Sequence, residues 1–167
     1  MLFFGQKPAV SFKKFIAMCG GLIPDSEVME LESSADAGAA PTKGGNATLR
    51  KWRAFDMALR NELVKIRAPR LKADPSKYLR QDGYDGLTGI THIALNARRK
   101  ASLLESEKFL DLERWRYLDG LQAGHHFDLD FLVVYVQKLL IGEKWDRIAA
   151  SDTRKAVSDI LEPAVLL

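Results

Sequence analysis

At 167 residues, with 47% hydrophobic and 28% charged content, the chain is long and apolar enough for one folded domain with a sizeable core, which excludes a disordered tail. Its lone cysteine, Cys19, excludes an intramolecular disulfide framework, and no run combines a charged start, an apolar middle and a small-residue cleavage site, so a reducing cytoplasmic compartment is expected. A net charge of +3 falls well short of the dense basic stripe of a dedicated nucleic-acid binder.

Residues 2–10 read as an extended, proline-containing start. Ser11 is placed to cap a short helix carrying Phe12, Phe15, Ile16 and Cys19, which Gly20 and Gly21 stop. A second short helix is expected after Pro24, with Val28, Met29 and Leu31 as its apolar side. Residues 33–46, SSADAGAAPTKGGN, combine small residues, Gly and Pro without apolar periodicity and predict a mobile loop. The piece before it is too short to be an independent domain, so residues 1–167 are expected to form a single helical domain.

From 48 to 72 the apolar residues Leu49, Trp52, Phe55, Leu59, Leu63 and Ile66 recur every three or four positions, the signature of a long helix. Pro69 predicts a kink or an end near Arg67, because proline removes a backbone donor and clashes with the preceding turn. Asp74 and Pro75 open a single turn, and QDGYDGLTG at 81–89 reads as a loop. A helix over 87–100 follows, with Ile90, Ile93, Ala94 and Ala97 on one side and Arg98, Arg99 and Lys100 complementing the dipole at its end.

Residues 109–148 encode two helices and a sharp turn. Leu112, Trp115, Leu118 and Leu121 make a drifting seam, Gly124 suits a left-handed closing position, and Asp128 or Asp130 can cap the next helix. The opening turns of that helix, Phe131 to Val136, are apolar on every side, so it should be central. Gln137 and Lys138 interrupt the apolar run before the roughly 20 residues a bilayer span needs. A last helix is expected to begin at Ser151 or Asp152 and to end before Pro163, with Val157, Ile160 and Leu161 as its apolar positions. With no strand pattern or fixed-period repeat, the fold class is all-α, an irregular helical bundle.

Candidate chemistry is thin. His125, His126, Asp128 and Asp130 have the residue types of zinc and iron ligands, but neighbouring histidines diverge and no HExxH or pair of ExxH motifs supports them; helix capping is the simpler reading. Cys19 reads as a small buried residue, because a nucleophilic thiol needs a nearby histidine and an electropositive pocket. Gly83, Gly86 and Gly89 neither follow a strand nor precede a GK[ST] sequence, which argues against a phosphate loop. Trp52, Trp115 and Trp145 read as core or helix-contact residues in preference to stacking platforms for bases. No catalytic residue, metal ligand or cofactor is therefore expected, and the chain reads as no enzyme. The steepest charge asymmetry lies on the long helix, where Arg50, Lys51, Arg53, Arg60, Lys65, Arg67, Arg70 and Lys72 face only Asp56 and Glu62. Such a face is either simply solvated or a docking surface for an acidic protein or nucleic acid, with Arg50, Arg53, Arg60 and Arg67 as the candidate protein-interaction residues.

Three blocks carry a resemblance: FGQKPAVSFKKFIAMC, TLRKWRAFDMALRNELVKIRAPRL and WRYLDGLQAGHHFDLDFLVVYVQKLLIGEKW. They resemble the amino-terminal FG-KP-SF-F-C segment, the long basic helix and the carboxyl-terminal signature of the uncharacterised helical family encoded in bacterial V-type ATPase operons, where it stands in the place of the C-type (d-type) stalk protein. Stalk proteins of the wider group use an acidic turn before a helix with a later basic position, to which Asp128, Asp130 and Lys138 are loosely similar. The resemblance implies a noncatalytic subunit or assembly factor linking the rotary shaft to the membrane rotor ring, with other ATPase subunits as partners and a cytoplasmic place peripheral to the inner membrane. The alternative is a basic helical nucleic-acid-binding protein, and an enzyme using His125 or His126 comes third.

Members of that family begin with an aromatic, extended segment before the FG-KP motif, whereas here Met1 stands immediately before Leu2 and Phe3. A start codon assigned late, a trimmed end or a divergent member each accounts for this. If a segment is missing, Leu2, Phe3 and Phe4 should be less well covered than in longer relatives.

Overall fold

Capping chemistry sets where the helices begin in the computed structural model, which describes residues 2–36, 45–86 and 89–161 and, beyond residue 152, the backbone alone. Ser11 Oγ accepts from the Lys14 amide to open α1 (Phe12–Cys19), and Gly20 closes it as expected. Helix α2 (Asp25–Ser34) starts after Pro24 with Asp25 and Glu27 in its positive first turn. The Asn46 side chain accepts from the Leu49 amide at 2.8 Å to cap α3 (Ala47–Arg67). Beyond Arg67 the chain tightens into a 3-10 turn, Ala68–Leu71, with Pro69 inside it, and a second such turn spans Pro75–Lys77 behind the Asp74 cap. Helix α4 (Ile90–Arg98) and α5 (Leu103–Gln122), capped by Ser102, lead to α6 (Leu129–Leu161). Among the described residues there is no strand, only an isolated bridge between Gly20 and Ile23, so the fold is an all-α bundle. No described helix is long and apolar enough to cross a membrane.

Several boundaries differ from expectation. Ser33 and Ser34 belong to α2, and Asn46 is a cap, so the expected loop shrinks from both sides; residues 37–44 lie outside the described residues. Met29 is 69% exposed and leaves the apolar side of α2 to Val28 and Leu31. Helix α4 begins at Ile90, with Leu87 outside the described residues. No new helix starts at Ser151, because its hydroxyl donates back to the Ile148 carbonyl at 2.7 Å within a continuous α6. The side chains of Val157, Ile160 and Leu161 lie outside those described.

The core gathers on α6, against which α1, α2, α3 and α5 all pack. Val133, Val134, Val136 and Leu139 are fully buried, whereas Phe131, Leu132 and Tyr135 of the expected all-round apolar stretch are half-buried. The two polar residues within it are buried as well and act as ties. Gln137 Nε2 donates to the Ser34 carbonyl at the end of α2 (3.0 Å), and Lys138 Nζ donates to Asp119 Oδ1 and Gln122 Oε1 at the end of α5, both at 2.6 Å. Trp115 lies under Lys138, with the ammonium 5.6 Å from its ring centre. The seam of α5 is rotated from the expected one: Leu110 and Leu118 are fully buried beside Trp115, while Leu112 and Leu121 are half-buried.

The amino-terminal segment packs on α6. Phe4 meets Trp115 edge to face at 5.6 Å, and the Phe12 amide donates to Glu143 Oε1 at 2.7 Å. A Cβ on Gly142 would stand 2.8 Å from Pro8 Cγ. That close approach explains a glycine in mid-helix, where it is about 1 kcal/mol less favourable than alanine. Phe3 is 55% exposed, while Leu2 and Phe4 pack against the core. On the other side of α5, Phe55 and Tyr117 stack at 3.9 Å with Tyr84 against both. Burial, with Tyr84 and Asp85 nearby, pushes the Tyr117 phenol up to about 12. The segment bearing Tyr84 is pinned by buried Asn61, whose side chain donates to the Arg80 carbonyl and accepts from its amide. Trp52 and Trp115 are buried and Trp145 is partly buried against the core.

Candidate docking surfaces

An ion-pair network locks the central helices together. Arg60 and Arg114 both reach Asp56 at 2.8 Å; Arg114 Nη1 continues to Asp111 Oδ1 at 2.9 Å, and Asp111 Oδ2 accepts from Lys144 Nζ and Trp145 Nε1. Lys144 also meets Glu107 at 3.4 Å, and Glu107 lies 4.0 Å from Arg67, so the pairs run from α3 through α5 and α6 and back to α3. Burial pulls the Arg114 guanidinium down, but the carboxylates of Asp56 and Asp111 outweigh it and hold its pKa above the ordinary value. Asp56, Arg60, Glu107, Asp111, Arg114 and Lys144 line a cleft of about 390 Å³ together with Trp52, Arg53 and Arg147. Its carboxylates Asp56, Asp111 and Glu107 are engaged by cations, so the arrangement braces three helices and presents none of the three as an unengaged base.

The four candidate interaction arginines divide along α3. Arg50 is exposed and donates to the Gly45 carbonyl at 2.6 Å; Arg53 is half-buried, donates to the Ser33 carbonyl at 2.9 Å and has an Nε buried without a partner. Arg60 belongs to the network through Asp56. Arg67, half-exposed and held among the described residues by the long contact to Glu107, is the most loosely tied of them. Beyond it the chain presents an apolar groove of about 470 Å³ between Leu63, Val64, Ala68, Leu71 and Tyr78, rimmed by Arg60 and Arg67. The basic face is thus partly structural in its first half and open at its carboxyl-terminal end.

A second exposed feature sits at the other end of α3. Gly124 takes the expected left-handed conformation, with φ of 85°, and Asp128 Oδ1 accepts from the Phe131 amide at 2.8 Å to cap α6. Between them Phe127 is 99% exposed and also has positive φ, 57°, a conformation that bulky residues rarely adopt. Asn46 Nδ2 donates to Asp130 Oδ1 at 3.1 Å, which fastens this turn to the start of α3. The thirteen residues of α3 from Ala47 to Leu59, a rise of about 20 Å, lie between Asn46 and Arg60, where the groove begins.

His125, Asp128 and Asp130 bring ligand-type atoms within 4.8 Å of one another. Each has a local role: His125 Nδ1 lies 2.8 Å from Asp128 Oδ2, Asp128 caps α6, and Asp130 holds Asn46. Lys138 bonds to Asp119 and Gln122 on α5, not to this pair of acids. The hydrogen bond to Asp128 raises the His125 pKa above 6.5, and the same bond lowers that of Asp128. The contribution from His125 is full below 6.5 and is lost as pH rises through the raised value; that from Asp128 is lost as pH falls through its lowered one. In an NMR titration His125 should therefore have a midpoint above 6.5 that moves back toward 6.5 in Asp128→Asn, since asparagine still caps the helix. An unchanged midpoint in the variant would remove the pair. Cys19 is buried, which pushes its thiol up and away from nucleophilic use.

Sequence reasoning missed Asp111, Asn61 and Phe127. The first two look like ordinary surface polar residues in FLDLERW and ALRNEL; only an aromatic inside a Gly-His-His-Asp turn gave a signal for the third. No family model, curated protein or solved structure matches the chain.

Proposed function

We propose that the chain is a noncatalytic subunit or assembly factor of a bacterial V-type ATPase, linking the rotary shaft to the membrane rotor ring in the place of the C-type (d-type) stalk protein. The observation that carries this reading is the pair of exposed surfaces, the Phe127 turn and the arginine-rimmed groove, towards the two ends of one braced helix. A link between two moving parts needs two contact regions and a body stiff enough to transmit force between them. The Asp56–Arg114–Asp111–Lys144 network supplies cross-links between three helices.

The resemblance supports the same reading, because its blocks meet in space. Pro8 of the first lies against Gly142 of the third, Phe4 against Trp115, and Asn46, just before the second, bonds to Asp130 of the third. The partners are stalk and ring proteins, and the protein sits on the cytoplasmic side, peripheral to the inner membrane through that complex. The nucleic-acid alternative draws on the same basic end.

The test is affinity purification of the tagged, full-length protein from native membranes. ATPase subunits should co-purify, and Phe127→Ala should deplete them. Recovery without any ATPase subunit, together with a steeply salt-dependent affinity for RNA or DNA, would replace this reading with the alternative.

A further inference from the structure

The carboxyl-terminal end of α3 joins exposed apolar surface to uncompensated positive charge. Leu71 is 76% exposed and Tyr78 60% exposed over the groove, where Lys72 turns the chain away in a left-handed conformation. A second groove of about 270 Å³ shares Leu63 and Arg67 with the first and runs on to Arg70, Arg98 and Leu103. Arg70, Lys72, Lys77, Arg98 and Arg99 are exposed and have no ion pair among the described residues. The nearby acids are already engaged: Asp74 caps its turn, Glu105 accepts from the Ala101 amide, and Glu107 serves Lys144.

We infer that these joined grooves bind an acidic amphipathic helix of a partner protein. The inference rests on the reading of this end as a docking surface and names what it takes. Positive charge without internal partners selects an acidic ligand. Concavity selects one with side chains to insert, which a helix has and a flat bilayer lacks. Arg60 and Arg67 are seven residues apart, about 10.5 Å along α3, so a helix lying alongside presents carboxylates at positions i and i+7. Its apolar residues at i+3 and i+4 then face Leu63 and Val64, and those one heptad on, at i+10 and i+11, reach the Leu71 and Tyr78 end of the groove. Arg60 uses one nitrogen on Asp56 and Arg67 is held only loosely, so both keep donors for a second carboxylate.

The experiment is fluorescence anisotropy of the full chain with a synthetic three-heptad helix carrying Glu at i and i+7 and Leu at i+3, i+4, i+10 and i+11. Controls are a scrambled peptide of the same composition, its Glu→Lys counterpart and phosphatidylserine vesicles. The acidic amphipathic peptide should bind saturably and more weakly as salt rises, with Arg67→Glu and Leu71→Ser each raising Kd about tenfold. Both side chains are exposed, so circular dichroism should show unchanged helicity; if either variant is unfolded, Arg70→Glu and Leu103→Ser on the adjoining groove take their place. Equal binding of the scrambled peptide, no effect of folded groove variants, or preference for the vesicles would overturn the inference. Peptide binding without co-purifying ATPase subunits would retain this inference and reject the ATPase assignment, whereas recovery of those subunits without peptide binding would do the reverse.

Discussion

Asp111→Ala is expected to destabilise the protein by about 3 to 5 kcal/mol, the range for removing one partner of a buried charge network. Asp111 is only 2% exposed and accepts from Arg114, Lys144 and Trp145 at once. Without it the Trp145 indole N–H loses its bond and the Arg114 guanidinium, its side chain 13% exposed, keeps only Asp56. Lys144 suffers less, because its side chain is 37% exposed and retains Glu107. Urea unfolding should show a lower midpoint with an unchanged slope. A loss below about 1 kcal/mol would mean that water replaces the carboxylate and that the cleft is hydrated to its floor. The same variant should loosen α3, α5 and α6 together, because the network is their shared brace.

Trp115→Ala should be comparably severe, about 3 to 5 kcal/mol, through the cavity left by a large aromatic. The indole is 7% exposed, packs edge to face with Phe4 and lies beneath Lys138. Its loss therefore also frees the amino-terminal segment and removes a cation–π contact from a buried ammonium. Equilibrium denaturation measures the total, and limited proteolysis ahead of α1 reports the release of the segment. A fully folded variant that loses less than about 1 kcal/mol would show that the core closes over the gap.

What could be read along the chain was local in its causes. Ser11, Asp74, Gly124 and Asp128 are caps and turns whose bonds reach only two to four residues, so their chemistry stands in the sequence itself. The periodicity of α3 and the all-round apolar opening of α6 carry the same kind of information, because helical period follows from backbone geometry alone. Pro69 marked the end of α3 near Arg67 through its missing donor. At Ser151 the local preference misled, since a hydroxyl able to cap a helix can also bond back within one.

Tertiary structure decided which polar residues lie inside. Asp111, Gln137 and Lys138 have the composition of a solvated face, yet each is buried because a partner from another helix meets it: Lys144 and Trp145, Ser34, and Asp119 with Gln122. It also divided the basic face of α3, turning Arg53 toward Ser33 and leaving Arg67 at the rim of a groove, while Arg60 pairs with Asp56 one turn back on α3 itself. The sequence by itself determined an all-α chain with its main turns and a helix with an apolar opening at Phe131 to Val136, because those depend on neighbours within one or two turns. The burial of a charge and the openness of a face depend on residues 16 to 103 positions away, which meet only when the helices pack.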